Sequence, residues 1–317
     1  MSVYTPVSNE ALAELLERYD IGDLVALEGI AAGVENSNFK LKTTQKTYIL
    51  TLFEQHTIAE LNYFLALMAF FTQAKFPTAS PIADKKGQVL QQIHAKPCAI
   101  IEFLSGTTLQ QPNTAQCAVI GKTLAQLHLA GEAFPLYRAS DRGHDWRMAT
   151  AQRLKSHLPR QEQQLLAHEM QCQQAIPFAQ LPQGVIHADL FCDNVLFAGD
   201  QLQGIIDWYY ACTDSWLYDL AIVANDWCSH LEGSLDEARL RALLAAYHEH
   251  RPLNVMESDH WESMLRGAAL RFWLSRLQAI LEPRKGAMIL QKDPQEFRDR
   301  LLQRQKESAL IRTCWPD

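Results

Sequence analysis

The chain has 317 residues, 48% of them hydrophobic and 21% charged, with a formal net charge of −7 at pH 7. That is the composition of a folded globular protein long enough for two domains. The acidic balance argues against a nucleic-acid or anionic-membrane partner, since both reward a basic surface, but it leaves room for a nucleotide in a local pocket.

In chain order, Met1 to Glu10 has neither the basic start nor the apolar core of a signal peptide. Ser8 to Tyr19 reads as a helix, with Ser8 as cap and Leu12, Leu15 and Leu16 as an apolar stripe. Strand-like segments follow at Val25–Ile30, Asn38–Thr43 and Tyr48–Phe53, with turns at Gly33-Val34-Glu35-Asn36 and Thr44-Gln45-Lys46. Thr57 to Ala74 is a helix with a broad apolar face, ended by Pro77 and Pro81. Gln88–Ile93 and Cys98–Phe103 add two strands.

After Ser105-Gly106 the pattern turns helical. Thr114 to Ala130 is amphipathic, with Gly131 as its expected stop. Further helices are expected near 145–157, 160–175, 216–231, 235–250, 259–281 and 293–312. A hairpin interrupts them: Val195–Phe197, a Gly199-Asp200 turn, then Leu202–Ile206. The expected fold is α+β and bilobal: a small antiparallel sheet with a packed helix in residues 1–104, and a larger helical part in 105–317. No apolar run is long enough to span a bilayer. Seven cysteines without CxxC or metal-like spacing read as reduced thiols. A cytoplasmic protein is expected.

The chemistry concentrates in Gly184-Val185-Ile186-His187-Ala188-Asp189-Leu190-Phe191-Cys192-Asp193-Asn194 and in Ile205-Ile206-Asp207-Trp208. Phosphoryl transfer asks for metal ions on phosphate oxygens, an in-line nucleophile and a group that orients it. Asp189 fits the last role, taking the proton of a substrate hydroxyl late. Asn194, through its side-chain carbonyl, and Asp207, arriving from the next strand, fit metal binding. Taken singly, each is an ordinary turn or cap residue; the set and its spacing carry the inference. His187 reads as a brace for the loop rather than a base, Asp193 as a weaker candidate, and Cys192 as a small apolar filler.

His187-x-Asp189-x-x-x-x-Asn194 followed by Ile206-Asp207 resembles the protein-kinase-like superfamily of aminoglycoside phosphotransferases and choline kinases. Further blocks resemble its homoserine kinases: Gly29 to Asn38, Tyr48 to Glu54, Val185 to Phe191, Ala211 to Asp214, Tyr218 to Ile222, Arg251-Pro252-Leu253 and Arg266 to Phe272. The resemblance runs from about residue 25 to residue 303. It implies ATP-dependent, Mg2+-assisted phosphorylation of the hydroxyl of L-homoserine, giving O-phospho-L-homoserine on the route to threonine.

The same resemblance assigns expected sites. Gly29, Gly33, Asn36 and Asn38 lie where a strand–turn–strand covers the phosphates, and Glu102 and Leu104 lie at the hinge whose backbone reads adenine. One feature departs from kinases at large: Thr51 stands where the third strand usually carries a lysine. Lys40 or Lys42 on the preceding strand are candidates for the missing charge, and Glu60 loses its usual partner. Homoserine is a zwitterion, so its pocket needs a cation and an anion. Tyr209, Tyr210, Asp214, Asp219, Arg266 and Arg271 are the candidates. Arg271 reads either as a substrate clamp or as a buried ion-pair partner, Asp219 as structural, and Trp208 and Tyr209 as pocket floor or core. The competing readings are a kinase for an aminoglycoside, choline or methylthioribose, and a catalytically silent nucleotide-binding module.

Overall fold

The computed structural model describes residues 5–30, 36–282 and 292–316. Gly33, and with it most of the expected phosphate-covering turn, lies outside the described residues. Two compact units form, one from residues up to 106 together with 203–209, the other from 107–202, 210–282 and 292–316. The division read from the sequence keeps 203–209 with the helical part, whereas this segment, which carries Asp207, clusters with the first unit.

The first unit opens with α1 (Asn9–Leu16), where the Ser8 side chain accepts from the Ala11 N–H. This fills one of the first-turn donors that have no partner inside the helix. Strands β1 (Leu24–Gly29), β2 (Ser37–Thr43) and β3 (Thr47–Leu52) form the expected antiparallel meander. Helix α2 (Ile58–Gln73) starts with a reciprocal capping box between Thr57 and Glu60. Strands β4 (Gln91–Ile93) and β5 (Lys96–Glu102) complete a sheet of order β1-β2-β3-β5-β4. Along β2, Phe39 and Leu41 are buried while Lys40 and Lys42 are exposed, the two-residue period of a half-buried strand. Phe39, Leu41, Tyr48, Leu50 and Leu52 make one core with Leu12, Leu15 and Leu16 of α1. The expected strand from Gln88 shrinks to β4. Asp84 accepts from the backbone N–H groups of Lys86 and Gln88, both at 2.8 Å, and holds that stretch in a turn.

The second unit contains α3 (Thr114–Gly131), α4 (His144–Leu154) and α5 (Arg160–Gln174). Strand β6 (Gln183–Ile186) follows. Strand β7 (Val195–Ala198) leads through Gly199, in the left-handed region at φ 61°, to β8 (Gln201–Ile205), which carries the chain into 203–209. Strand β9 (Cys212–Ser215) pairs antiparallel with β6, and α6 (Trp216–Trp227), α7 (Glu237–His250), α8 (Val255–Leu281), α9 (Gln295–Lys306) and α10 (Ser308–Thr313) complete the unit.

As expected, α3 ends at Gly131, where a Cβ would stand 2.9 Å from Val185 Cβ of β6. Three expectations are corrected. Helix α6 ends at Trp227, where the Cys228 carbonyl accepts from the Asp236 N–H at 2.7 Å. Helix α8 starts earlier than expected, at a capping box of Asn254 with Glu257. The last expected helix is two, broken at Glu307, whose carboxylate takes the Leu235 N–H at 2.8 Å and Arg304 at 2.7 Å. Among the described residues no helix is long and apolar enough to cross a membrane.

Candidate active site

In the second unit the site begins where β6 delivers the buried Val185 and Ile186 and the chain turns at His187. Ala188 has φ 63°, a left-handed conformation that is costly for a residue with a Cβ. Asp219, in the first turn of α6, holds it there. Its Oδ2 accepts the His187 N–H at 2.9 Å and its Oδ1 the Ala188 N–H at 2.8 Å. Asp219 Oδ2 also lies 3.2 Å from His128 Nε2, while His128 Nδ1 lies 2.7 Å from the Tyr247 hydroxyl. Burial of Asp219 works against its charge, but the hydrogen bonds from His128 and the His187 backbone outweigh it and hold the carboxyl below its ordinary pKa. Burial pushes the His128 imidazole down, so it stays neutral, donating from Nε2 to Asp219 and accepting at Nδ1 from Tyr247. The structural role expected of Asp219 is thus a brace for the loop. His187 is itself fully buried.

Two further points of α6 pin the same loop. The Asp226 carboxylate accepts the Cys192 N–H at 2.8 Å, and Trp227 Nε1 donates to the Leu190 carbonyl at 3.1 Å. Neither was legible as part of the site, since each meets the loop only after α6 packs. Within the loop, Asn194 Nδ2 donates to the Asp189 carbonyl at 2.8 Å and to Asp189 Oδ2 at 3.3 Å. The amide is thereby oriented with its carbonyl oxygen left as an acceptor. Asp189 Oδ1 lies 3.2 Å from Nη1 of Arg271, on α8. Burial works against the Arg271 charge, but Asp189 more than compensates and holds the guanidinium ionised. Of the two readings offered for Arg271, the structure shows the ion pair, and its partner is the candidate catalytic carboxylate. Tyr210 lies under the same guanidinium, ring centre at 5.1 Å. Arg266 instead binds the buried Glu169, with Nε 3.1 Å from Oε2. Asp193 sits at the surface, 3.4 Å from Lys292, and burial pushes the Cys192 thiol up, as befits a filler.

In the first unit Asp207 is exposed and also left-handed, at φ 63°. The Trp208 beside it is fully buried and donates from Nε1 to Thr78 Oγ1 at 2.8 Å. The Tyr209 ring packs into an aromatic cluster with Phe53 at 5.1 Å and Phe64 at 5.8 Å, the core position that was one of its two readings. Asn38 is the cross-strand partner of Thr51 and accepts its hydroxyl at 2.8 Å. Lys40 pairs with Ile49, which places it on the Thr51 face of the sheet, and its Nζ lies 5.1 Å from the centre of the Phe103 ring. Glu60 is used in the capping box of α2. Gly29 ends β1 opposite Phe39, and Asn36 is buried. At the expected hinge, the Glu102 N–H donates to the Ser80 carbonyl at 2.8 Å, and Leu104 covers Gly204, where a Cβ would meet Leu104 Cδ1 at 2.4 Å.

Comparison with known proteins agrees with this geometry. A model of the APH group, described as the phosphotransferase enzyme family, matches residues 26–253. The chain is 43% identical to the homoserine kinase of Methylobacillus flagellatus over 94% of its own length and 93% of that protein's. It is 41% identical to the homoserine kinase of a Janthinobacterium species, over 98% and 97% of the two lengths. Its fold resembles the amicoumacin kinase hAmiN solved with AMP-PNP, Ca2+ and Ami, with a TM-score of 0.68 at 14% identity, over 96% of this chain and 97% of that one.

Proposed function

The chain belongs to the APH phosphotransferase enzyme family, and on that premise we propose that it is a homoserine kinase. The observation that carries the substrate is the identity of 41–43% to homoserine kinases along nearly the whole of both chains. The reaction moves the γ-phosphoryl group of ATP to the side-chain hydroxyl of L-homoserine. The oxygen–phosphorus bond to the acceptor forms, the bond to the ADP leaving oxygen breaks, and the hydroxyl proton passes to Asp189. The Arg271 contact supports this role. By holding one oxygen of the carboxylate, the arginine fixes Asp189 in place to orient a hydroxyl and take its proton late.

The metal is Mg2+ on this reading. Among the described residues no three His, Cys, Asp or Glu side chains form a group that could hold a metal. An amide carbonyl at Asn194 and a carboxylate at Asp207 are the few hard oxygens with which Mg2+ is held beside substrate phosphates and water. When bound, the ion neutralises charge building on the phosphate oxygens. Lys40 is the candidate for the cation absent at Thr51, Gly29 and Asn36 border the phosphates, and the Glu102 carbonyl with the Leu104 N–H reads adenine. We assign the reaction to the cytoplasm.

The test is ADP release with Mg-ATP across a panel of alcohols. L-homoserine is expected to give turnover, and Asp189→Ala to lower kcat by about a thousandfold or more in a protein that is still folded. Turnover with another alcohol but none with homoserine would remove the substrate assignment.

A further inference from the structure

Arg147, on α4, is only 1% exposed, yet none of its three guanidinium nitrogens has a hydrogen-bond partner. The group rests against the rings of Tyr218, at 4.7 Å, and Phe178, at 5.4 Å. The Tyr218 hydroxyl donates to the Arg142 carbonyl at 3.5 Å, and its oxygen is within reach of one Arg147 donor. Aromatic faces attract a guanidinium but fill none of its five N–H donors. A buried cation with most of its five donors unfilled is rare in folded proteins and suits an acceptor that binds from outside.

The neighbours say what kind of acceptor. Arg271, whose charge also reaches the Tyr218 phenol, is already committed to Asp189 at 3.2 Å. Arg147 and the partly buried Asp214 of β9 are close enough to act on each other electrostatically. One Asp214 oxygen accepts the Ser215 N–H at 2.7 Å. The other lies beside Gly143, 3.4 Å from an added Cβ, and Ser140 also hydrogen-bonds this carboxylate. A carboxylate that orients a hydroxyl, with a cation and an anion near one tyrosine, is the pattern a small hydroxylated amino acid presents in reverse.

We propose that Arg147 binds the α-carboxylate of the acceptor substrate and Asp214 its α-ammonium, which sets the side-chain hydroxyl at Asp189. The proposal rests on the homoserine reading above and moves the carboxylate clamp from Arg271 to a residue that no sequence motif marks. Arg147 is thereby the residue that makes an amino acid, rather than a plain amino alcohol, the preferred acceptor.

The experiment compares L-homoserine with 3-aminopropan-1-ol, the same skeleton without its carboxylate, in the wild type, Arg147→Met and Arg147→Lys. The wild type should prefer homoserine in kcat/KM. Arg147→Met should cut that preference by about 10- to 100-fold, through the KM for homoserine and with the KM for ATP unchanged. Arg147→Lys, which keeps the charge but loses the fork, should fall between. Both substrates are read on one preparation, so a loss of folded protein cancels from the ratio, and the lysine variant decides if the methionine variant does not fold. An unchanged ratio overturns the proposal and leaves the homoserine reading standing. A wild type that shows no preference for the carboxylate-bearing substrate overturns it as well. A wild type active on other alcohols but not on homoserine removes both.

Discussion

At the scale of single residues the site turns on Asp219, which spends both carboxylate oxygens on the backbone of His187 and Ala188. An amide at this position offers one acceptor and sets its NH2 against the other N–H. Asp219→Asn is therefore expected to cost about 2–3 kcal/mol of stability, read as a fall in denaturant midpoint, because a buried donor loses its charged acceptor. It should lower kcat more than it raises KM, since this contact holds Ala188 left-handed and Asp189 follows it. The pH dependence has a definite sign. The folded carboxyl titrates below the unfolded value of 3.8, so its contribution is full above that value and is lost as pH falls through the folded one. The margin of wild type over Asp219→Asn should shrink in that acid range, and a margin flat with pH would detach the charge from the bracing. Asp189, Asn194 and Asp207 were legible in the sequence because their spacing is local to one loop and one hairpin. Asp226 and Trp227 were not, because a helix remote in sequence brings them to the loop.

Elements are legible where their ends are chemical. Ser8 and Thr57 mark helix starts through caps that need only adjacent residues, and the alternation of β2 shows in its sequence. Features set by neighbours were not legible: Gly131 ends α3 as read, but the close approach of Val185 to it comes from β6, and β9, Cys-Thr-Asp-Ser, has no strand pattern until β6 lies beside it. The same logic gives a prediction for Gly121 in α3. A Cβ there would stand 2.3 Å from the Leu243 carbonyl oxygen of α7, a backbone atom that cannot swing aside. Gly121→Ala should therefore force α3 and α7 apart and cost about 2–3 kcal/mol, although alanine favours helix at this position. Gly87→Ala is the control: nothing lies within 4 Å of its added Cβ, and its φ of 79° limits the cost to about 1–2 kcal/mol of local strain. Urea midpoints at unchanged slope separate the two, and a milder effect at Gly121 than at Gly87 would show that the helices yield.

Over the whole molecule, the seven cysteines noted in the sequence as scattered, reduced thiols are all free, and all but Cys172 are buried. Burial pushes the Cys98 thiol up to about 12 and those of Cys192, Cys212 and Cys228 well above the ordinary range, so their reactive thiolates are suppressed. At neutral pH a disulfide reagent should titrate one thiol per native chain quickly, and all seven after unfolding in guanidinium chloride. The slow native reaction of the rest then measures opening of the structure around them. Cys192 reports on the catalytic loop itself, because its N–H is tied to Asp226 and its neighbour Leu190 to Trp227. If Asp219 braces this loop as its hydrogen bonds indicate, Asp219→Asn should quicken modification of Cys192, located by peptide mapping, more than that of Cys98 in the other unit. Equal acceleration at both would mean that the substitution loosens the fold at large, and the loop would then owe its shape to Asp226 and Trp227.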